Sequence, residues 1–153
     1  MRPQALPDFA TWEQTARVST VGDPLWTVRA FRLAMYALHA HRHDRQHARR
    51  EFATSHAADQ LARALGSVAA NIAEGYSRAS VAERIRFYGY ALGSAREALV
   101  WYDIVSGTLG APVRERETII IQIRRLLLTT LRRQRPTGGT AILRDPRGDD
   151  TAS

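Results

Sequence analysis

The sequence predicts an all-α protein, an up-down-up-down four-helix bundle. Apolar residues recur at three- and four-residue steps in four separate segments, the connections between segments are short, and strand-like alternation is missing. A length of 153 residues is one domain's worth, and 44% hydrophobic with 24% charged residues suits a packed core rather than a disordered chain.

Residues 1–22 read as an irregular arm, with Trp12 as its candidate anchor. The bundle is expected over 23–135. Its first helix opens at Asp23-Pro24, an N-cap followed by proline at the first helical position, and Val28, Phe31, Met35 and Leu38 form the apolar face. The second carries Leu61, Leu65, Val68 and Ile72 and ends at Gly75. Tyr76-Ser77-Arg78-Ala79 is short enough to force an antiparallel pair with the next helix. That third helix starts with the capping box Ser80-Val81-Ala82-Glu83, runs along Val81, Ile85, Tyr88, Leu92, Ala95, Leu99 and Tyr102, and stops near Gly107 or Gly110. The fourth opens after Pro112 with Ile119, Ile120, Ile123, Leu126, Leu127, Thr130 and Leu131. Ile121 and Leu128 widen its apolar surface beyond one stripe, which calls for a second partner. Residues 136–153, rich in proline, glycine and acids, read as a flexible tail.

Composition excludes more than it suggests. Cysteine is absent, which removes disulfides, thiolate metal sites and cysteine nucleophiles. All 22 basic residues are arginine, so a Walker A loop and Schiff-base chemistry are excluded with lysine. No stretch approaches the ~20 apolar residues of a membrane span, and the opening residues have no secretory h-region; a cytoplasmic protein is expected.

The net charge of +7 is unevenly placed. Residues 29–50 carry six arginines against the single acid Asp44, and residues 114–135 carry seven against Glu115 and Glu117. Residues 55–106 hold five of each sign. In an up-down bundle the first and fourth helices are neighbours, so both blocks would lie on one side. Arginine's planar fork suits bidentate phosphate contact, whereas replacement of lysine by arginine throughout a GC-rich genome would give the same composition without function. The clustering favours phosphate. Arg42, Arg45, Arg49 and Arg50 of the first block and Arg124, Arg125, Arg132 and Arg133 of the second are the candidate nucleic-acid contacts. No row of exposed aromatics sits among them, so base stacking is not indicated.

The run Ser67-Val68-Ala69-Ala70-Asn71-Ile72-Ala73-Glu74-Gly75-Tyr76-Ser77-Arg78 is similar to the S-V-x-x-N-I-A-E-G-x-x-R stretch of the bacterial proteins named after intervening sequences in large-subunit ribosomal RNA genes. Ser80, Glu83, Arg86-Phe87, Gly93-Ser94-Ala95 and Glu97 fall where that family carries S-x-x-E, R-F and G-S-x-x-E. The resemblance covers residues 61–110, about a third of the chain. It implies a left-handed bundle, with relatives assembling as homopentamers. One related branch, the accessory proteins of diversity-generating retroelements, binds nucleic acid and a reverse transcriptase through a basic surface. A homo-oligomer with RNA or DNA, and a polymerase as protein partner, is the expectation it supplies.

Chemically, this stretch reads as a lock between two helices. Gly66, Ser67, Ala69, Ala70 and Ala73, with Gly89, Gly93, Ser94 and Ala95 opposite, would let the helix axes approach closely. Asn71 is placed to tie the turn through Ser80, with Glu74, Arg78 and Glu97 as charge partners. His39, His43 and His47 recur every four residues, but they lie among Arg42, Arg45 and Arg49, so a solvated or phosphate-facing strip is favoured over a metal site. Arg42 and His47 also fit the loose R-x4-H pattern of HEPN-type ribonucleases, a remote alternative. No Gly-rich phosphate loop, paired-carboxylate or Ser-His-Asp spacing stands out, and no cofactor is expected. The reading is a non-enzymatic nucleic-acid-binding bundle, with a scaffolding protein-interaction module as its competitor.

Overall fold

The computed structural model describes residues 5–47, 55–109 and 113–134, and among these it is helical, without strands. The described residues form five α-helices: α1 (Phe9–Thr15), α2 (Arg29–His47), α3 (His56–Tyr76), α4 (Val81–Val105) and α5 (Val113–Gln134). The residues 48–54, 110–112 and 135–153, and with them Arg49, Arg50 and the expected C-terminal tail, lie outside the described residues.

Capping sets most boundaries. The Ser55 hydroxyl accepts from Ala58 N at 3.1 Å to start α3. Ser80 Oγ accepts from Glu83 N at 3.5 Å to start α4, while the Glu83 carboxylate lies 3.7 Å from Arg86. Only half of the expected capping box is therefore made. Asp23 does cap, its Oδ1 accepting from Leu25 N at 2.7 Å. It caps a 3-10 turn, Pro24–Thr27, and the α-helix begins only at Arg29. The arm read as irregular carries α1, capped by Asp8, whose Oδ1 accepts from Thr11 N at 2.7 Å. Trp12 is its buried anchor, 6% exposed against Tyr36 and Trp26.

The α3–α4 pair forms the most extensive helix contact. α4 also packs on α5, and α2 on both α3 and α5. Gly75 meets Tyr88, Ser67 bonds Ser94, and the His56 ring meets Trp101, so α3 and α4 run antiparallel. Leu33, Leu61, Leu65, Ile72, Tyr102, Ile120 and Ile123 fill the core between the four long helices.

Two expectations about packing are corrected. On α2 the core face is rich in small residues: Ala30, Leu33, Ala34, Ala37 and Ala40 are buried, while Val28, Met35 and Leu38 are half-buried. Of the predicted stripe Phe31 is in the core and Val28, Met35 and Leu38 pack at its edge, because alanine packs the close helix contact and the N-terminal segment shelters the far side. The small-residue lock is likewise narrower than expected. A Cβ at Gly66, Gly89 or Gly93 would meet nothing within 4 Å, whereas one at Gly75 would lie 2.7 Å from Tyr88 Cε1. Of these four glycines, only Gly75 at the end of α3 is at a close approach.

A buried ion pair joins α2 and α5. Arg116 of α5 donates from Nε to Asp44 Oδ2 at 2.8 Å and from Nη2 to Oδ1 at 2.9 Å. Their side chains are 6% and 3% exposed. The Tyr102 hydroxyl, buried without a hydrogen-bond partner among the described residues, is held protonated well above the usual phenol range by burial, with the Asp44 carboxylate adding to the effect.

The two glycines should respond to alanine with opposite signs. Gly75→Ala should cost about 1–3 kcal/mol by displacing the Tyr88 ring, whereas Gly93→Ala, mid-helix in open space, should gain about 0.5–1 kcal/mol. Urea unfolding checks both. Asp44→Asn should cost about 3–5 kcal/mol by leaving Arg116 buried and uncompensated, and the double variant Asp44→Leu/Arg116→Met should recover most of that loss.

Candidate nucleic-acid interface

α5 separates its residues by periodicity. Arg116, Ile120, Ile123 and Leu127 point inward and are buried, while Arg114, Arg125, Arg132 and Arg133 are exposed or nearly so and Arg124 is half-buried. Arg125 and Arg132 lie two helical turns apart on the same outer face, about 10 Å along the axis. No acidic side chain pairs with Arg124, Arg125, Arg132 or Arg133 among the described residues. The charge of Arg125, Arg132 and Arg133 is therefore available to solvent, while Arg124 is half-buried, with its Nε shielded.

α2 treats its arginines differently. Arg45 pairs with Asp59 of α3 at 2.8 Å, and Arg32 pairs with Glu13 of α1. Arg29 sits over the Phe9 ring, 5.7 Å from its centroid. Arg42 is exposed and has no acidic partner among the described residues. The Asp44–Arg116 pair also removes one charge of each sign from the two basic blocks. The two helices do pack side by side, yet the uncompensated arginines lie mainly on α5.

The other sequence-selected residues divide by role. Asn71 does not tie the turn: its Nδ2 donates to Ser67 O at 2.8 Å and to Ser67 Oγ at 3.0 Å, and Ser94 Oγ donates to Ser67 Oγ at 2.9 Å. The lock is thus a serine–serine bridge at mid-helix, which a side chain four residues from Ser67 on its own helix reaches more directly than the loop. Glu74 pairs with Arg78 four residues on, and Gly75 makes the close approach. Glu97 accepts from Trp101 Nε1 at 3.3 Å within α4, and Gly93 lies on its exposed side.

Of the histidine strip, burial pushes His39 down from its ordinary value, with His43 and Arg42 adding to the shift. His43 Nδ1 lies 3.8 Å from Asp44 Oδ1. Among the described residues no group of three or more His, Asp or Glu side chains is placed to hold a metal ion. No described helix is long and apolar enough to cross a membrane.

Sequence reasoning missed His41, Arg116 and Arg17. His41 is 2% exposed in the α2 core face, and Arg116 is a buried partner rather than one more surface charge of its block. A signal existed: Asp44 is the lone acid of its block and stands at helical spacing from Ala37, Ala40 and His41.

The fold is that of an all-α bundle protein with an arginine-bearing outer helix. The chain belongs to the 23S rRNA-intervening sequence protein family, whose match spans residues 30–126, from α2 to the middle of α5 and excluding α1. Comparison with curated proteins and with solved structures finds no match.

Burial holds the His41 pKa below its ordinary 6.5. A group whose pKa is lower in the folded than in the unfolded chain takes up its proton preferentially on unfolding. Stability is then complete above 6.5 and is lost as pH falls from there towards the folded value. His39, shifted the same way, adds to the slope. The urea midpoint should fall between about pH 7.5 and 5.5, and His41→Gln should flatten that dependence.

Proposed function

We propose that this protein is a non-enzymatic accessory factor that binds the phosphate backbone of RNA or DNA through its arginine-rich face. The observation that carries the reading is the set of α5 arginines, Arg124, Arg125, Arg132 and Arg133, with no acidic partner among the described residues. Arg42 extends the face onto α2, and Arg49 and Arg50 belong to it by sequence; Arg45, paired with Asp59, would have to exchange partners. Contacts of this kind position a strand without reading bases, so sequence specificity is low.

An up-down-up-down order with left-handed packing is part of the same reading. It is supported by the antiparallel α3–α4 pair and by the α2–α5 contact. A homopentameric ring in the cytoplasm completes it. Tyr90, Val100 and Ile104, each more than half exposed on α4, supply apolar surface for contacts between copies. A ring repeats the arginine face around its axis, so weak phosphate contacts multiply. Polymerases or reverse transcriptases are the protein partners this arrangement suits.

A salt titration against a generic RNA or DNA duplex tests the reading. Micromolar binding at low salt should collapse as salt rises. Replacing Arg124, Arg125, Arg132 and Arg133 together by glutamine should weaken binding and flatten the salt slope without changing helical content. Replacing Arg84 and Arg86 on α4 should change affinity much less. Absence of binding even at low salt selects the scaffolding module instead, and a concentration-independent monomer in light scattering removes the ring.

A further inference from the structure

Between the N-terminal segment and the outer side of α2 lies a cleft of about 710 Å³. That volume is in the ~300–1,000 Å³ range of small-ligand sites. The chain builds it by spacing: Met35, Leu38, His39, Arg42, His43 and Gln46 fall at alternating steps of three and one along α2, one stripe of its surface. The opposite wall comes from α1 and the residues after it, held on α2 by the Tyr36 hydroxyl, which donates to Pro7 O at 2.7 Å, and by the Arg32–Glu13 pair.

The charge of the cleft has one sign. Arg17 stands on the N-terminal wall and Arg42 on α2. Both are exposed and neither has an acidic partner among the described residues. Arg32 and Arg45 on the same helix are already paired with Glu13 and Asp59, and among the described residues no acid lines the cleft. Both arginines line one cleft, and an anion carrying two charges can take a charge-assisted hydrogen bond from each.

The remaining lining is not what a bare anion needs. Trp12 and His39 stand 5.9 Å apart as a tilted ring pair, and Met35 and Leu38 supply an apolar wall. Thr15 donates its hydroxyl to Thr11 O at 3.1 Å, which leaves its oxygen free to accept, and Gln46 can both donate and accept at the rim. A dianionic phosphate joined to a flat, weakly polar ring satisfies every wall at once.

We propose that this cleft binds a 5′-phosphorylated nucleoside, with its phosphate held by Arg17 and Arg42 and its base against Met35 and Leu38. The ligand is either a free nucleotide or the phosphorylated end of a strand; the recognised chemistry is the same. The site goes beyond the backbone-binding face, because it uses Arg17 and needs none of the α5 arginines.

Calorimetric titration of the full chain with AMP, adenosine and inorganic phosphate tests it. AMP should bind at least about tenfold more tightly than either fragment, and Arg17→Gln or Arg42→Gln should each weaken AMP by about tenfold, the worth of one charge-assisted contact. The variant with all four α5 arginines replaced should keep AMP binding unchanged even if duplex binding is lost, which separates this site from the backbone face. A 5′-phosphorylated dinucleotide bound in preference to its 5′-hydroxyl twin assigns the site to a strand end; binding of AMP but of neither dinucleotide assigns it to a free nucleotide. Equal affinity for AMP and adenosine, no AMP binding up to about 10 mM, or an Arg17→Gln variant with unchanged AMP affinity overturns the proposal.

Discussion

The Asp44–Arg116 pair is the constraint around which the α2–α5 side of the bundle is arranged. Both groups are removed from water, so each is tolerable only while the other is in place and the fork stays bidentate. This fixes the C-terminal part of α2 against the first turn of α5 in one register. An apolar contact at the same place would tolerate a sliding helix; a two-pronged ion pair does not. The alanine-rich face of α2 follows from the same geometry, since small side chains bring the α2 backbone close enough for the short Asp44 carboxylate to be reached.

That pair also changes what the charge of the protein means. Counted along the chain, the two basic blocks are equivalent, each with a surplus of five positive charges. Folding makes them unequal. On α2, carboxylates of α1 and α3 cover Arg32 and Arg45, and an aromatic ring covers Arg29. On α5 the heptad-spaced Arg125 and Arg132 point away from the core and stay uncompensated. Among the described residues, most of the uncompensated positive charge of the two blocks therefore lies on the outer face of α5, while α2 contributes Arg42.

The N-terminal segment gives α2 a second neighbour outside the bundle. Phe9, Trp12, Trp26 and Tyr36 form a continuous aromatic cluster with ring centroids 5.4 to 6.3 Å apart. This satellite packing explains why α2 shows apolar residues on more than its core stripe, and it turns what would be an open helix face into a walled cleft. α1 lies outside the span matched by the family, whereas the α2 wall of the cleft lies within it.

Much of the molecule was legible from residue order. The α3 and α4 stripes, the Tyr76–Ala79 turn, the Ser80 cap and the start of α5 after Pro112 all rest on local rules, periodicity and capping, that act within a few residues. Which glycine makes the close approach was not legible: residue order pointed to Gly66, Gly89 and Gly93 and marked Gly75 only as a helix end, because helical glycines look alike until a neighbouring ring stands over one of them. The site was less legible. Whether an arginine is free depends on carboxylates brought to it from other elements: Asp59 to Arg45, Glu13 to Arg32, and Asp44 to Arg116 across 72 positions of sequence. Residue order alone located the four long helices and the concentration of positive charge, since both are properties of local composition and spacing, but it missed the short α1. Only the tertiary structure decided which charges cancel, which face of α2 is buried and that Arg17 shares a cleft with Arg42, because pairing and burial are set by distances between residues that the chain order keeps far apart.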